Sequence, residues 1–407
     1  MQEKISARVA SLTPSAPFAM AAKSAAMKAQ GIDVINMAVG EPDFDTPEYI
    51  REASKKAVDD GFTRYSPVPG YMSLREAVCA KLLKENGLEY SPSEILVSGG
   101  AKQCISETLL TLVDAGEEVI IPAPYWVSYP QMAKLVGGVP VHVTSSIEDN
   151  FKIKPEHLEK AITPRTRVVI LCSPCNPSGS VYTSGELEAL AQVIMRHEGV
   201  FVISDEIYEH LNYGGSHSSI ASVPGMRERT IVINGVSKAY AMTGWRIGYL
   251  AAPEWIVKAV SKLQGQLSSG VCSVSQKAAE SALRQDWDGG SQRCVEKMRS
   301  AFARRRDLIV SLAREIPGLE VNVPSGAFYL FPKCSSYFGR SYDRDGVRRT
   351  ISNADDFAMY LLEVGHVATI GGTDFGAPDC FRMSYALSEA DIREALRRIK
   401  TALSQIG

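Results

Sequence analysis

The feature that most constrains this chain is an alternation of short apolar runs with stretches long enough to be helices. Ile95–Ser98 passes through Gly99-Gly100 into a helix that begins near Ala101. Glu118–Ile121, Val139–Val143 and Val168–Cys172 read as strands, Ser184–Glu198 as a helix, and Val200–Ser204 as a strand ending at Asp205. A helix between two strands carries the chain back to the same end of a sheet, so the strands it joins lie parallel. A parallel sheet needs cover on both faces, and Val168–Cys172, apolar at every position, suits that burial. The alternation therefore predicts an α/β fold with a mostly parallel, doubly wound sheet. At 407 residues the chain is long for one core, and a second, smaller α/β domain is expected. The expected division is an N-terminal segment 1–48 joining the small domain, a large domain 49–310 and a small C-terminal domain 311–407.

The flanks read less regularly. A helix is expected over Phe18–Gln30, closed by Gly31, then a short strand within Asp33–Val39 and a helix over Glu48–Asp60. Another helix starts at Met72, with Leu74, Ala77, Val78 and Leu82 at helical spacing. Beyond Pro253 the pattern is helical to about Ile316, with Arg304-Arg305-Arg306 expected on a solvated face. Leu319–Phe331 reads as strand, turn and strand, and Ser335–Asn353 as a polar loop. Ala354–Val364 is expected as a helix, Val367–Ile370 and Cys380–Tyr385 as strands. A last helix reaches Leu403 with Ser388 as its N-cap.

Charge and composition exclude several functions. The net charge is −2, from 44 basic and 46 acidic residues, with no polybasic face, so a nucleic-acid partner is not expected. No run of about 18 apolar residues exists for a membrane span. Met-Gln-Glu-Lys-Ile-Ser at the N-terminus lacks the apolar core of a signal peptide. A cytoplasmic protein is expected, with an organellar transit peptide ahead of this sequence left open. Cys172 and Cys175 form a C-x-x-C, but no second such pair or histidine pair completes a metal site. The eight cysteines are expected as free thiols and no metal is expected.

Ligands of open α/β sheets bind beyond the carboxyl ends of the strands. Thr230–Ile233 leads into Asn-Gly-Val-Ser-Lys-Ala-Tyr-Ala-Met-Thr-Gly-Trp-Arg-Ile-Gly over Asn234–Gly248. A lysine in such a turn, Lys238, can be desolvated, which lowers its pKa and makes it a nucleophile for carbonyl carbon. Ser237 and Arg246 supply a hydroxyl and a planar fork, the parts that hold a phosphate. Together they suggest pyridoxal phosphate bound as a Schiff base. Ser98–Lys102 presents a helix N-terminus to an anion. Trp126 can stack on a flat ring, and Asn176 and Tyr208 can donate to a phenolate oxygen. Asp205 can pair with a protonated pyridine nitrogen. Each residue also has an ordinary reading: a surface amine, a plain turn, a core aromatic, an N-cap. The weight lies in their order, one after each strand end.

With these motifs in place, the chain resembles the fold-type I, class I pyridoxal-phosphate aminotransferases, in the aspartate aminotransferase subgroup that includes prephenate aminotransferases. The resemblance runs from about Ser6 to the C-terminus. It is carried by Gly40–Pro47, Pro124–Tyr129, Asn176-Pro177, Ser204–Tyr208, Ser237–Gly248 and Phe381–Tyr385. It implies that Lys238 bonds the cofactor and moves the proton, Asp205 holds the pyridine nitrogen, Asn176 and Tyr208 contact its phenolate, and Trp126 stacks on its ring. Ala101, Lys102, Ser237 and Arg246 would grip the phosphate, and Tyr65 would reach the phosphate of a neighbouring subunit, giving a homodimer with shared active sites. Arg382, Gly40, Asn176 and Trp126 would bind substrate, Arg382 through the α-carboxylate. The implied reaction is ping-pong amino transfer between L-aspartate and 2-oxoglutarate. Transamination of prephenate to arogenate, a broad or aromatic donor range, and β-elimination on the same scaffold are the alternatives. Lys102 suits a distal carboxylate, and Gln264–Lys277 looks most like the prephenate-capable branch. Prephenate-capable relatives usually read Lys-Pro-Ser-x-Thr near the N-terminus, where this chain has Thr13-Pro14-Ser15-Ala16-Pro17. The missing lysine and hydroxyl place aspartate first.

Overall fold

The computed structural model describes residues 5–14, 16–285, 291–344 and 346–406. Its centre is a seven-stranded sheet: β1 Ile95–Ser98, β2 Glu118–Ala123, β3 Val139–Thr144, β4 Thr166–Cys172, β5 Phe201–Asp205, β6 Thr230–Gly235 and β7 Gly248–Ala251. The spatial order is β1-β7-β6-β5-β4-β2-β3. All pairs are parallel except those of β7, which lies antiparallel between β1 and β6. The connection 236–247 explains the exception. It holds only a single 3₁₀ turn, Thr243–Trp245, too short to cross the sheet, so the chain doubles back. The pleat sends Ile120, Val169 and Leu171 to one face and Val119, Ile121 and Ile170 to the other. Helix Ser184–Met195 packs its Leu187, Leu190 and Ile194 on the first face, and helix Ala101–Leu112 packs Ile105 and Leu109 on the second. Burial of both faces is why these strands carry no polar alternation.

A second core is built from Phe302 and Ile309 of helix Ser291–Arg314, Phe357 and Leu361 of helix Ala354–Glu363, and Ile392, Leu396 and Ile399 of helix Glu389–Leu403. They cover an antiparallel sheet of Ile370–Gly371, Phe381–Ser384 and Tyr329–Leu330. Ser388 caps the last helix, accepting from the Asp391 backbone at 3.0 Å. Ile35–Asn36 pairs in parallel with Val367–Ala368, tying the N-terminal segment to the C-terminal part of the chain.

Three local expectations change. Ser335–Asn353 is not a plain loop: Ser341–Arg344 and Val347–Thr350 form an antiparallel hairpin. Its polar residues are held by tertiary partners, with Tyr342 packed 4.6 Å from the Tyr360 ring and Arg349 2.7 Å from Glu363. Leu319–Phe331 keeps only Tyr329–Leu330 as a strand, with an isolated bridge between Glu320 and Lys333. The run Arg304-Arg305-Arg306 is not a solvated face. Arg305 forms a two-pronged pair with Asp43 at 2.6 and 2.9 Å and sits over Phe44 and Phe302. Arg306 lies over Tyr213 and donates to the Pro324 carbonyl at 2.9 Å. Only Arg304 is largely exposed. Long aliphatic stems let arginine cover apolar surface while its head finds an anion.

Behind β6 lies a buried ion pair that local sequence does not announce. The Lys81 ammonium meets the Glu209 carboxylate, with both side chains under 5% exposed. Asn86 and Asn234 each donate to Glu209 at 2.7 Å, and Lys81 donates to Asn86 at 2.7 Å. Glu209 also lies within two clusters of carboxylate and imidazole groups, one with Glu85 and His210, the other with Glu206 and His217. The Lys81 ammonium supplies a positive charge there. Removing one partner of such a pair leaves the other charged and dry. Lys81→Met is therefore expected to lower stability by about 3–5 kcal/mol. Urea unfolding at neutral pH checks this, and a loss below about 1 kcal/mol would show that the network tolerates an unpaired Glu209.

Candidate active site

The strand order reverses between β2 and β4, since β2 leads outward to β3 whereas β4 leads the other way to β5 and β6. A crevice opens there at the carboxyl ends of the strands. It forms a cavity of about 630 Å³. Ala101, Lys102, Trp126, Asn176, Asp205, Tyr208, Ser237, Lys238, Arg246, Gly40 and Arg382 all line it. Tyr65 does not; it is 96% exposed on this chain.

Asp205 ends β5, and its carboxylate lies at the cavity floor, 3% exposed. Tyr129 donates to Oδ2 at 2.6 Å and the Ile207 N–H to Oδ1 at 3.3 Å. Burial still dominates and pushes its pKa up to about 6. Lys238 follows the end of β6, and its Nζ donates to the Gly40 carbonyl at 2.8 Å. Burial is the main cause that lowers its pKa to about 8; Glu41 acts in the opposite direction, and Arg382 and Arg246 reinforce the fall. The pKa expected of an activated lysine is therefore built from desolvation and two nearby cations.

The helix Ala101–Leu112 points its N-terminus into the same cavity. Gly100 precedes it with φ +101°, and a Cβ there would press on the Arg246 guanidinium. Arg246 itself takes a left-handed backbone, φ 56°, and its guanidinium donates to the Thr243 and Gly99 carbonyls at 2.9 and 3.1 Å. The Lys102 amine lies 4.8 Å over the Trp126 ring. Burial, then Arg246, lowers its pKa.

Across the cavity, Arg382 on Phe381–Ser384 is 2% exposed. Taken from its neighbours in sequence it would be a surface charge; the small antiparallel sheet buries it instead. It donates to Asn176 Oδ1 at 2.9 Å and to the Ala38 carbonyl at 2.6 Å, while its buried Nε has no partner among the described residues. Its guanidinium rests over Tyr329 and Phe375, at 4.6 and 5.1 Å.

Tyr129, Tyr329 and Glu41 are among the lining residues not expected from sequence. Tyr129 holds Asp205, Tyr329 faces Tyr208 across 2.7 Å, and Glu41 accepts from Thr243 beside Lys238. Tyr129 falls three residues after Trp126 at the start of helix Ser128–Leu135, a spacing that could have pointed to it. Tyr329 had no such signal, because it arrives from a strand far along the chain. Of the two N-terminal departures, Pro17 lines the cavity with Phe18 and Ala21. Thr13 instead gives its backbone N–H to Gln131 at 3.2 Å.

These residues fit pyridoxal phosphate on the structure's own terms. A buried carboxylate with a raised pKa is what a protonated ring nitrogen would pair with. The Arg382 Nε can take a carboxylate oxygen. The glycine before the helix N-terminus leaves space where a side chain would crowd Arg246.

The comparisons with known proteins agree with this geometry. The family model "Aminotransferase class I and II" matches residues 32–399. The chain is 47% identical to the bifunctional aspartate aminotransferase and glutamate/aspartate-prephenate aminotransferase of Petunia hybrida, over 99% of this chain and 83% of that protein. It is 46% identical to the aspartate aminotransferase of Geobacillus stearothermophilus, over 97% and 98%. The crystal structure of the aspartate aminotransferase from Rhizobium meliloti superposes with a TM-score of 0.94 at 42% identity, covering 100% of both chains. The Thermus thermophilus aspartate aminotransferase with maleate gives 0.92 at 40%, covering 98% of this chain and 100% of that one. With this fold, this cavity and these relatives, the chain belongs to the class I and II aminotransferases, as a fold-type I, pyridoxal-phosphate-dependent enzyme.

Proposed function

We propose that the chain moves the amino group of L-aspartate to 2-oxoglutarate, two half-reactions in a ping-pong cycle. The carrying observation is that Arg382 and Lys102 line the cavity along with Lys238 and Arg246, leaving cationic partners for both carboxylates of a dicarboxylic substrate beside the phosphate. Arg382 binds the α-carboxylate, with Asn176 and the Gly40 backbone fixing its orientation. Lys102 faces the distal carboxylate.

Bound pyridoxal phosphate supplies an electron sink that stabilises the electron pair left when a substrate Cα loses its proton. Asp205 would keep the ring nitrogen charged for that purpose. Asn176 and Tyr208 would donate to the phenolate oxygen, Trp126 would cover the ring, and Ala101, Lys102, Ser237 and Arg246 would hold the phosphate. Lys238 would anchor the cofactor and, as a free amine, would take the Cα proton; burial lowers the pKa of that free amine to about 8.

The same reading includes a homodimer in which the exposed Tyr65 completes the phosphate grip of the neighbouring subunit, and a cytoplasmic location. No helix among the described residues is long and apolar enough to cross a membrane. It also includes a division of the chain into an N-terminal segment 1–48, a large domain 49–310 and a small domain 311–407, with closure of the small domain excluding water.

A second reading, amino transfer to prephenate, is favoured by one feature: Pro17, Phe18 and Ala21 give the cavity an apolar wall, and Phe18 is 75% exposed. A half-reaction panel separates the two. Aspartate, glutamate, arogenate, alanine and phenylalanine are mixed with holoenzyme and the cofactor's visible absorbance is followed. Aspartate and glutamate are expected to react at least about 10-fold faster than arogenate, as befits a lost hydrogen-bonded contact. Equal rates for arogenate and aspartate would establish the second reading. Pyruvate or ammonia released without a keto acid would point to elimination chemistry instead.

A further inference from the structure

Tyr329 is buried, 1% exposed, and touches three working parts of the cavity at once. Its hydroxyl lies 2.7 Å from that of Tyr208. Its ring carries the Arg382 guanidinium at 4.6 Å. A Cβ on Gly40, whose carbonyl accepts from Lys238, would run into its hydroxyl. Two hydroxyls that share one hydrogen bond have a direction, since each has a single hydrogen to give.

One observation sets that direction. The cation over the Tyr329 ring favours loss of positive charge from the phenol and makes Tyr329 the stronger donor. We propose that Tyr329 is a positioning residue: it donates to Tyr208, so that the hydrogen of Tyr208 is aimed into the cavity at the phenolate oxygen of the cofactor. A hydroxyl that accepts one bond donates the next more strongly. The inference rests on the role given to Tyr208 above. The groups facing Tyr329 are Tyr208, Arg382 and Cys172, and those acting on Lys238 are Glu41, Arg382, Arg246 and Asp205.

The test reads the pH midpoint at which the visible absorbance of bound cofactor changes, in holoenzyme without substrate. A well-held phenolate oxygen makes the nitrogen of Lys238 conjugated to it less basic. Tyr329→Phe keeps the ring and its contact with Arg382 and removes only the hydroxyl. The midpoint is expected to rise by about one pH unit, the size of one buried hydrogen bond. Tyr208→Phe should raise it at least as far. The double variant should match Tyr208→Phe alone, because Tyr329 acts only through Tyr208. Additive shifts, or no shift for Tyr329→Phe beside a clear one for Tyr208→Phe, would overturn the proposal. An unmoved midpoint in Tyr208→Phe would overturn the placement of Tyr208 itself, and this inference with it.

Discussion

Lys238→Ala is expected to lower amino transfer by about four orders of magnitude or more, since it removes the residue proposed both as covalent anchor and as proton carrier. Borohydride reduction of holoenzyme followed by peptide mapping should add the cofactor's mass to the Lys238 peptide in the parent and to no peptide in the variant. Normal turnover in the variant would sink the assignment. The loss should not come from unfolding, because Lys238 lies at a cavity wall and, among the described residues, its amine donates only to the Gly40 carbonyl. A pH effect accompanies it. Only the neutral amine attacks the aldehyde, and burial holds the pKa at about 8. Capture of pyridoxal phosphate by apoprotein should therefore speed up as pH rises through about 8 and level off above it. A rate still climbing steeply near pH 10, where an ordinary solvated lysine titrates, would contradict the desolvated environment.

Asp205→Asn should leave the fold intact and reduce turnover about 10²–10³-fold, the scale of losing one preorganised electrostatic contact. The amide keeps the size and the backbone contact from Ile207, but it has no charge to hold a proton on the ring nitrogen. Weaker retention of cofactor on dialysis should accompany the slower turnover. The apoprotein gives an independent check with a definite sign. The folded pKa of Asp205 is raised, so folding is favoured by the protonated form. Its contribution is complete below the ordinary carboxylate pKa and is lost as pH rises through about 6. The variant, with nothing to titrate, should gain stability relative to the parent apoprotein across that interval. Equal stabilities at pH 4 and pH 7 would argue that Asp205 is not desolvated.

Much of the large sheet was legible because burial on both faces writes itself as apolar runs. Val168–Cys172 and Val200–Ser204 lie within two residues of β4 and β5 at each end. The glycine turns that end such strands marked where a ligand could approach. The C-terminal part was less legible. Its strands are two to four residues long, and the hairpin at Ser341–Thr350 is polar, stabilised by Tyr360 and Glu363 rather than by a pattern of its own. The three arginines from Arg304 to Arg306 look identical in sequence and differ completely in fate. What separates them is which face of a helix meets Asp43, Phe44 and Tyr213.

By itself the sequence determined the sheet class, the order of chemical groups along it and the lysine proposed as nucleophile. These follow from local rules: periodicity, turn residues, and a lysine desolvated in a tight turn. Only the tertiary structure decided that Arg382 is buried and partly unpaired, that Tyr129 and not solvent holds Asp205, and that Tyr329 stands between Tyr208 and Gly40. Those contacts join residues up to 344 positions apart, as Ala38 and Arg382 show. No local pattern records which distant groups will meet, because burial and charge are set by what packs on top of a residue rather than by what precedes it.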